Sequence, residues 1–296
     1  MYKKIKNKVG RPCSIQKIPP QTKYGVVNTS EVNDNNIEFS FDNVNIFKKI
    51  FNLFKTMIMQ EINICFDKNF IKISGIDHLE KNIVNIKIDC TKVNKYFNRY
   101  KDPFNITLDS MKLNNITKKI DRNYNLFSIV IKKASNVNII LHNKLLNINE
   151  YHILNFIKSE IVIPCKNHID YNLYPLNFTL PFRIFRKIIN DIYTFSRHFN
   201  IEKVNGSPLK ISYNTLTDNT KGFIIFSDDE LIKLNTSLVD SAVFYVSVVI
   251  DYIKPLGNCL LADFVNIYAD NEFDLVFNII IDNGVMDIIM FSSISD

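Results

Sequence analysis

Lys48, Lys49 and Lys55 share one side of the stretch NIFKKIFNLFKTMIMQ (45–60), which contains no Asp or Glu. A lysine ammonium is a compact point charge with three rotatable donors, suited to phosphate oxygens. On the other side Ile46, Phe47, Ile50, Phe51, Phe54, Met57 and Ile58 recur at helical spacing, so the segment reads as an amphipathic helix. A solvated helix ordinarily mixes signs, because Glu/Lys pairs four residues apart stabilise it and like charges destabilise it. A helix that keeps only cations on its wet side is a surface for a polyanion.

Catalytic chemistry finds no comparable support. The glycines at 10, 25, 75, 206, 222, 257 and 284 cannot make a GxGxxG or P-loop spacing. Cys165-x-x-His168 and the histidines at 78, 142, 152 and 198 form no recognisable ligand set. His198 beside Arg197 reads as a base at a helix end near phosphate rather than a general base. Asp228-Asp229-Glu230 reads as a solvated loop. The expectation is a protein without catalytic residues, metal or cofactor.

The elements that must carry these cations follow from the rest of the chain. At 296 residues it can form one large domain or two ordinary ones, and 46% hydrophobic content with 23 Phe promises substantial cores. The excess of Asn, Ile and Lys reflects an A+T-rich genome. No apolar run approaches the roughly 20 residues of a membrane span, and the N-terminus lacks a secretory h-region, so no membrane association is expected. Cys13, Cys65, Cys90, Cys165 and Cys259 are dispersed, never in a CxxC pair, which points to an intracellular, reducing compartment. Seven of the 36 Lys+Arg lie in the first 30 residues, where there is no acid; the remaining 29 face 30 acids, so charge is segregated.

Residues 1–36, polar, basic and containing Pro12, Pro19 and Pro20, read as a disordered tail. Gly10-Arg11-Pro12 is similar to the core of an AT-hook, but a generic basic tail is the preferred reading. After the first helix come short strands, then FNITLD leading into a second helix over 110–122 that presents Lys112, Lys118, Lys119 and Arg122. The pattern then restarts. LNFTLP enters a helix over 181–199 with Phe182, Phe185, Ile188, Ile189, Ile192 and Phe195 inside and Arg183, Arg186, Lys187 and Arg197 outside. Ile46-Phe47-Lys48-Lys49-Ile50 overlays Ile184-Phe185-Arg186-Lys187-Ile188 at a shift of 138. A fourth helix over 251–262 carries Lys254 and, in its first turns, Pro255. The chain therefore divides into a tail (1–36), one unit (37–160), a connector (161–175) holding Pro164 and Pro175, and a second unit (176–296).

Two such units resemble the sliding-clamp family, specifically proliferating cell nuclear antigen, over about residues 38–294. The resemblance is carried by the Lys48-Lys49-x5-Lys55 spacing, by Ile161-x-Ile163-Pro164 in the connector, and by Asp282-Asn283-Gly284 between the last strands. A basic Gly-Arg-Pro tail ahead of EFSFDN…IFKKIF is also similar to the clamp-like members of African swine fever virus and related large DNA viruses. The resemblance implies an α+β fold of two similar clamp domains, antiparallel sheets outside and helices inside, assembled as a homotrimeric ring. It implies a processivity factor that encircles duplex DNA without base specificity and tethers DNA polymerase and other replication or repair enzymes, in a nucleus or a cytoplasmic viral replication site. Partner peptides would enter beneath Ile161, Ile163 and Pro164, beside Ile76, Leu79 and Ile289. The strand with Tyr151, Ile153 and Phe156 would pair with Gly222, Ile224 and Phe226 of the next subunit. Acids such as Asp228, Asp229, Glu230, Asp270, Glu272 and Asp274 would lie outside the ring. The family's C-terminal Ala-Pro-Lys is absent; Phe291-Ser292-Ser293 stands there instead. The alternatives are a non-ring accessory factor that binds DNA as a monomer or dimer, and an enzyme or scaffold that borrows the clamp fold.

Overall fold

The computed structural model describes residues 35–133, 136–158, 171, 174–204, 206–215, 220–226, 232–234, 243–259, 262–269, 274–282 and 284–293. The first repeat runs β1 (Ile37–Phe41), α1 (Val44–Thr56), β2 (Glu61–Phe66), β3 (Phe70–Ile76), β4 (Asn82–Asp89), β5 (Lys95–Asn98), β6 (Phe104–Asp109), α2 (Ser110–Thr117), β7 (Tyr124–Lys133), β8 (Asn136–Asn143) and β9 (Ile148–Asn155), with a short β10 (Ile157–Lys158) after it. The second runs β11 (Leu176–Pro181), α3 (Phe182–Phe195), β12 (His198–Val204), β13 (Leu209–Asn214), β14 (Lys221–Phe226), β15 (Ile232–Leu234), β16 (Val243–Val249), α4 (Ile250–Cys259), β17 (Phe264–Ala269), β18 (Asp274–Ile281) and β19 (Met286–Ser293).

The strands form three antiparallel sheets, ordered β5-β1-β7-β8-β9, β14-β13-β12-β16, and β10-β6-β2-β3-β4-β19-β18-β17-β11-β15. Each repeat contributes one group of five strands and one of four in the same order, and the long sheet arises where β4 of the first repeat pairs with β19 of the second. Inward and outward residues alternate along the strands, as in β8, so each sheet buries one face under helices. α1 buries Val44, Ile46, Phe47, Ile50, Phe51, Leu53 and Phe54, and Phe47 stacks on Phe127 at 4.2 Å. α2 and α4 both pack on α1, and α3 packs on α4, giving one helix layer in the order α2-α1-α4-α3. Among the described residues, no helix is long and apolar enough to cross a membrane.

Three helices are shorter than their sequence pattern suggests. α1 ends at Thr56 through a Schellman arrangement: Ile58 N–H reaches Lys55 O, Met59 N–H reaches Phe54 O, and Ile58 takes φ +57° where glycine is usual. α2 starts on the Asp109 carboxylate, which accepts from Lys112 N–H, but stops at Thr117, not 122. The Thr117 hydroxyl bonds back to Leu113 O, and Asn114 and Asn115 are weak helix formers. α3 stops at Phe195 because the Ser196 hydroxyl turns to His198 O; His198 therefore opens β12 and is not a helix-end base. α4 does contain Pro255 in its interior.

Candidate nucleic-acid interface

The helix layer carries Lys48, Lys49, Lys55, Lys112, Arg183, Arg186, Lys187 and Lys254 of the cations singled out by the sequence. Lys48 and Lys49 are half-buried on α1, and Lys55 is exposed. Lys48 Nζ donates to Ile120 O at 2.7 Å, capping the turn that follows α2. Burial, and then the Arg186 charge on α3, pushes the Lys49 ammonium below its usual range. Two cations from different repeats thus feel each other across the layer. A recess of about 770 Å³ opens there, lined by Lys48, Lys49, Lys118, Asn52, Asn114 and the single acid Asp282, among others. Lys112 is exposed on α2, and Arg183, Arg186 and Lys187 are exposed on α3.

Other cations lie differently. Lys118, Lys119 and Arg122 follow the end of α2 rather than riding on it. Lys118 Nζ reaches Asn115 Oδ1 at 3.1 Å, and Lys119 pairs at 3.6 Å with Glu150 on β9. Arg197 lies in the turn between α3 and β12, 3.6 Å from Asp251. Arg197 and Lys254 both stand over the Tyr193 ring, at 4.0 and 2.9 Å from its centroid. Tyr193 was not a sequence candidate; its signal was the 138 shift, which matches it to Lys55.

On the opposite face of the long sheet, Ile76 of β3 and Ile289 of β19 project to the same side, separated by β4. Ile83 and Phe291, paired directly across β4 and β19, join them and carry no sequence-level mark as site residues. Leu79 is 53% exposed in a loop shaped by Asp77, whose carboxylate accepts from Lys81 N–H, Asn82 N–H and Asn82 Nδ2. Ile161, Ile163 and Pro164 lie outside the described residues, as do Asp228, Asp229, Glu230, Asp270, Glu272, Asn283 and the tail to residue 34. Near the connector's end, Tyr171 stacks on Tyr268 at 4.3 Å and accepts from Asn278 Nδ2 at 3.0 Å. Asn278 Nδ2 also bonds Asp287, whose carboxyl burial pushes upward.

β9 and β14 are both edge strands. On β9, Tyr151 is half-buried and Ile153 is 67% exposed. Phe156 does not belong to that edge: it is 9% exposed and packs edge-on against Phe104. On β14, Ile224 and Phe226 lean on the core, and the exposed side chains are Phe223 and Ile225, which pattern alone could not choose over their neighbours. Gly222 lies under the Tyr213 ring, with which an added Cβ would collide.

Paired α/β repeats, helices gathered in one layer and sheets on the other side define the sliding-clamp fold of proliferating cell nuclear antigen (PCNA). The chain matches PCNA of Entamoeba histolytica with a TM-score of 0.70 at 15% identity, covering 88% of this chain and 100% of that one. It matches A. fulgidus PCNA bound to the C-terminal region of FEN-1 with a TM-score of 0.72 at 14% identity, covering 88% and 98%. In sequence it is 23% identical over 310 residues to an uncharacterized protein of African swine fever virus from a South African tick isolate, covering 100% of this chain and 98% of the relative. The counterpart from a Namibian warthog isolate is 23% identical over 313 residues with the same coverage. No family model matches the chain.

Proposed function

We propose that this protein is a DNA sliding clamp: a homotrimeric ring that holds duplex DNA through phosphates and tethers a DNA polymerase and other replication or repair proteins. In this reading 37–160 and 176–296 are the two clamp domains, 161–175 is the connector, and the ring itself performs no catalysis. The supporting observation is the internal joint. β4 of the first repeat meets β19 of the second, with Ile289 opposite Asn85. The equivalent strands in the other pairing are β14 and β9, both of them edges. The joint inside the chain is therefore a template for a joint between chains.

Applied at the 138 shift, the template sets Tyr151 of one subunit opposite Phe223 of the next, and His152 opposite Gly222. Exposure supports this. Ile46, beside the internal joint, is 8% exposed, and its counterpart Ile184 is 40%. Phe291 is 7% exposed, and its counterpart Ile153 is 67%. Long apolar edges are an association hazard unless covered, and a heterologous head-to-tail contact that closes covers them. Closure would leave the helix layers, with their cations, facing a common channel where non-specific phosphate contacts permit sliding.

The partner reading rests on the shared outer face of Ile76, Ile83, Ile289 and Phe291, and on the PCNA neighbour that carries the C-terminal region of FEN-1. The location in this reading is a nucleus or a cytoplasmic viral replication site. Light scattering at micromolar concentration tests the assembly: three chains of 34.5 kDa give a mass of about 104 kDa. A mass of one chain well above that concentration contradicts the ring and leaves the non-ring accessory factor.

A further inference from the structure

Where the first repeat has Lys55, the second has a half-buried tyrosine, Tyr193. Arg197, past the end of α3, brings its guanidinium carbon 4.0 Å from the Tyr193 centroid, and Lys254 brings its ammonium from α4 to 2.9 Å. Two cations gathered on one ring repel each other, and the acid beside them is Asp251, 3.6 Å from Arg197 Nη1. That Nη1 atom is buried yet makes no hydrogen bond among the described residues. The Arg197 side chain is nevertheless 42% exposed, so its outward donors can take an acceptor from outside the chain.

We infer that Tyr193 is a positioning residue for the second repeat's phosphate contacts: its ring holds Arg197 and Lys254 as a paired cation that takes oxygens of one DNA backbone. The inference rests on the proposed DNA-facing role of the helix layer. In the first repeat, Lys55 would supply a single mobile charge at the matching place. In the second, the ring restricts two long side chains before DNA arrives, so less side-chain freedom is lost on contact. The ring attracts both cations, whereas the Asp251 carboxylate pairs with Arg197 at 3.6 Å.

The test uses the full-length protein and duplex DNA of random sequence, with affinity measured against salt. Tyr193→Phe keeps the ring and should bind within twofold of the unmodified protein. Tyr193→Leu removes the ring but no charge; its affinity should fall about three- to tenfold. Its log–log salt slope should not change, whereas Arg197→Ala should make the slope shallower by about 0.9 for each subunit in contact. If Leu lowers the melting temperature by more than a few degrees, Tyr193→Met replaces it in the comparison. Tyr193→Leu binding as tightly as the unmodified protein, while Arg197→Ala weakens binding, overturns the positioning role and leaves the DNA reading intact. Tyr193→Phe falling as far as Tyr193→Leu also overturns it, because the hydroxyl would then be the active part. An unmodified protein whose binding is indifferent to salt overturns the DNA reading, and this inference with it.

Discussion

Lys49, Lys55 and Lys187 stand on the helix layer and take part in no ion pair among the described residues. Changing all three to Ala removes three positive charges per subunit at positions where Ala is at least as good a helix former, so the fold should persist. Lys48 is left in place because its ammonium braces Ile120 O. The tail's seven bases would bind DNA with the same salt signature, so both proteins should begin at Asn35, which keeps the Asn36 N–H bond to Ile131 O. If each lysine meets one phosphate, the slope of log affinity against log salt should become shallower by roughly 2.7 for each subunit in contact with the duplex, at about 0.9 per contact. Between 50 and 200 mM salt, the parent should then lose roughly 40-fold more affinity than the variant for each subunit in contact. Fluorescence anisotropy on random and A·T-rich duplexes reads this, and the loss should be equal on both. Equal slopes for parent and variant would refute a phosphate-facing helix layer.

Three further outcomes follow from local geometry. Ile58→Gly should stabilise the fold by about 1 kcal/mol in denaturant unfolding, since a β-branched residue at φ +57° occupies a glycine position; an unchanged or lower midpoint contradicts the cap. Gly75→Ala should destabilise by about 1–3 kcal/mol, because its Cβ would sit 2.8 Å from Phe54 and Met59 Sδ; a neutral result means that the core yields more than its packing implies. Burial, and then the Lys119 charge, holds the His152 imidazolium below its ordinary range. That contribution to stability is present above the unfolded value near 6.5 and is lost as pH falls through the lower native value. His152→Gln should flatten this segment of the stability–pH curve, and an identical curve would contradict the assignment.

Much of this fold was legible because a helical stripe and a two-residue strand alternation are both periodic signals. The helix with Lys48, Lys49 and Lys55, its counterpart with Arg186 and Lys187, and the 138 shift all follow from side-chain pattern. Helix ends were less legible, because they depend on single polar groups. Thr117 bonding Leu113 O ends α2, and Ser196 bonding His198 O ends α3. Phe156 was placed at an edge by proximity in sequence, but a tertiary contact with Phe104 buries it. Tyr193 was assigned to neither the core side nor the cationic side of its helix. Its setting depends on two cations, one four residues on and one on α4, that no local pattern connects.

Encirclement is the central claim, and topology separates it from ordinary binding. Cysteines at Tyr151 and Phe223, which the internal joint places opposite each other across subunits, can be cross-linked in the presence of a nicked circular duplex; the chain without the pair is the control. Ordinary phosphate contacts weaken steeply with salt, whereas a covalently closed ring cannot leave a circle at any salt concentration. The account predicts a covalent trimer that stays with the circle through a high-salt wash and is released when one cut makes the DNA linear. Cross-linked protein that washes off the circle as readily as off linear DNA, or no cross-linked trimer at all, would contradict it.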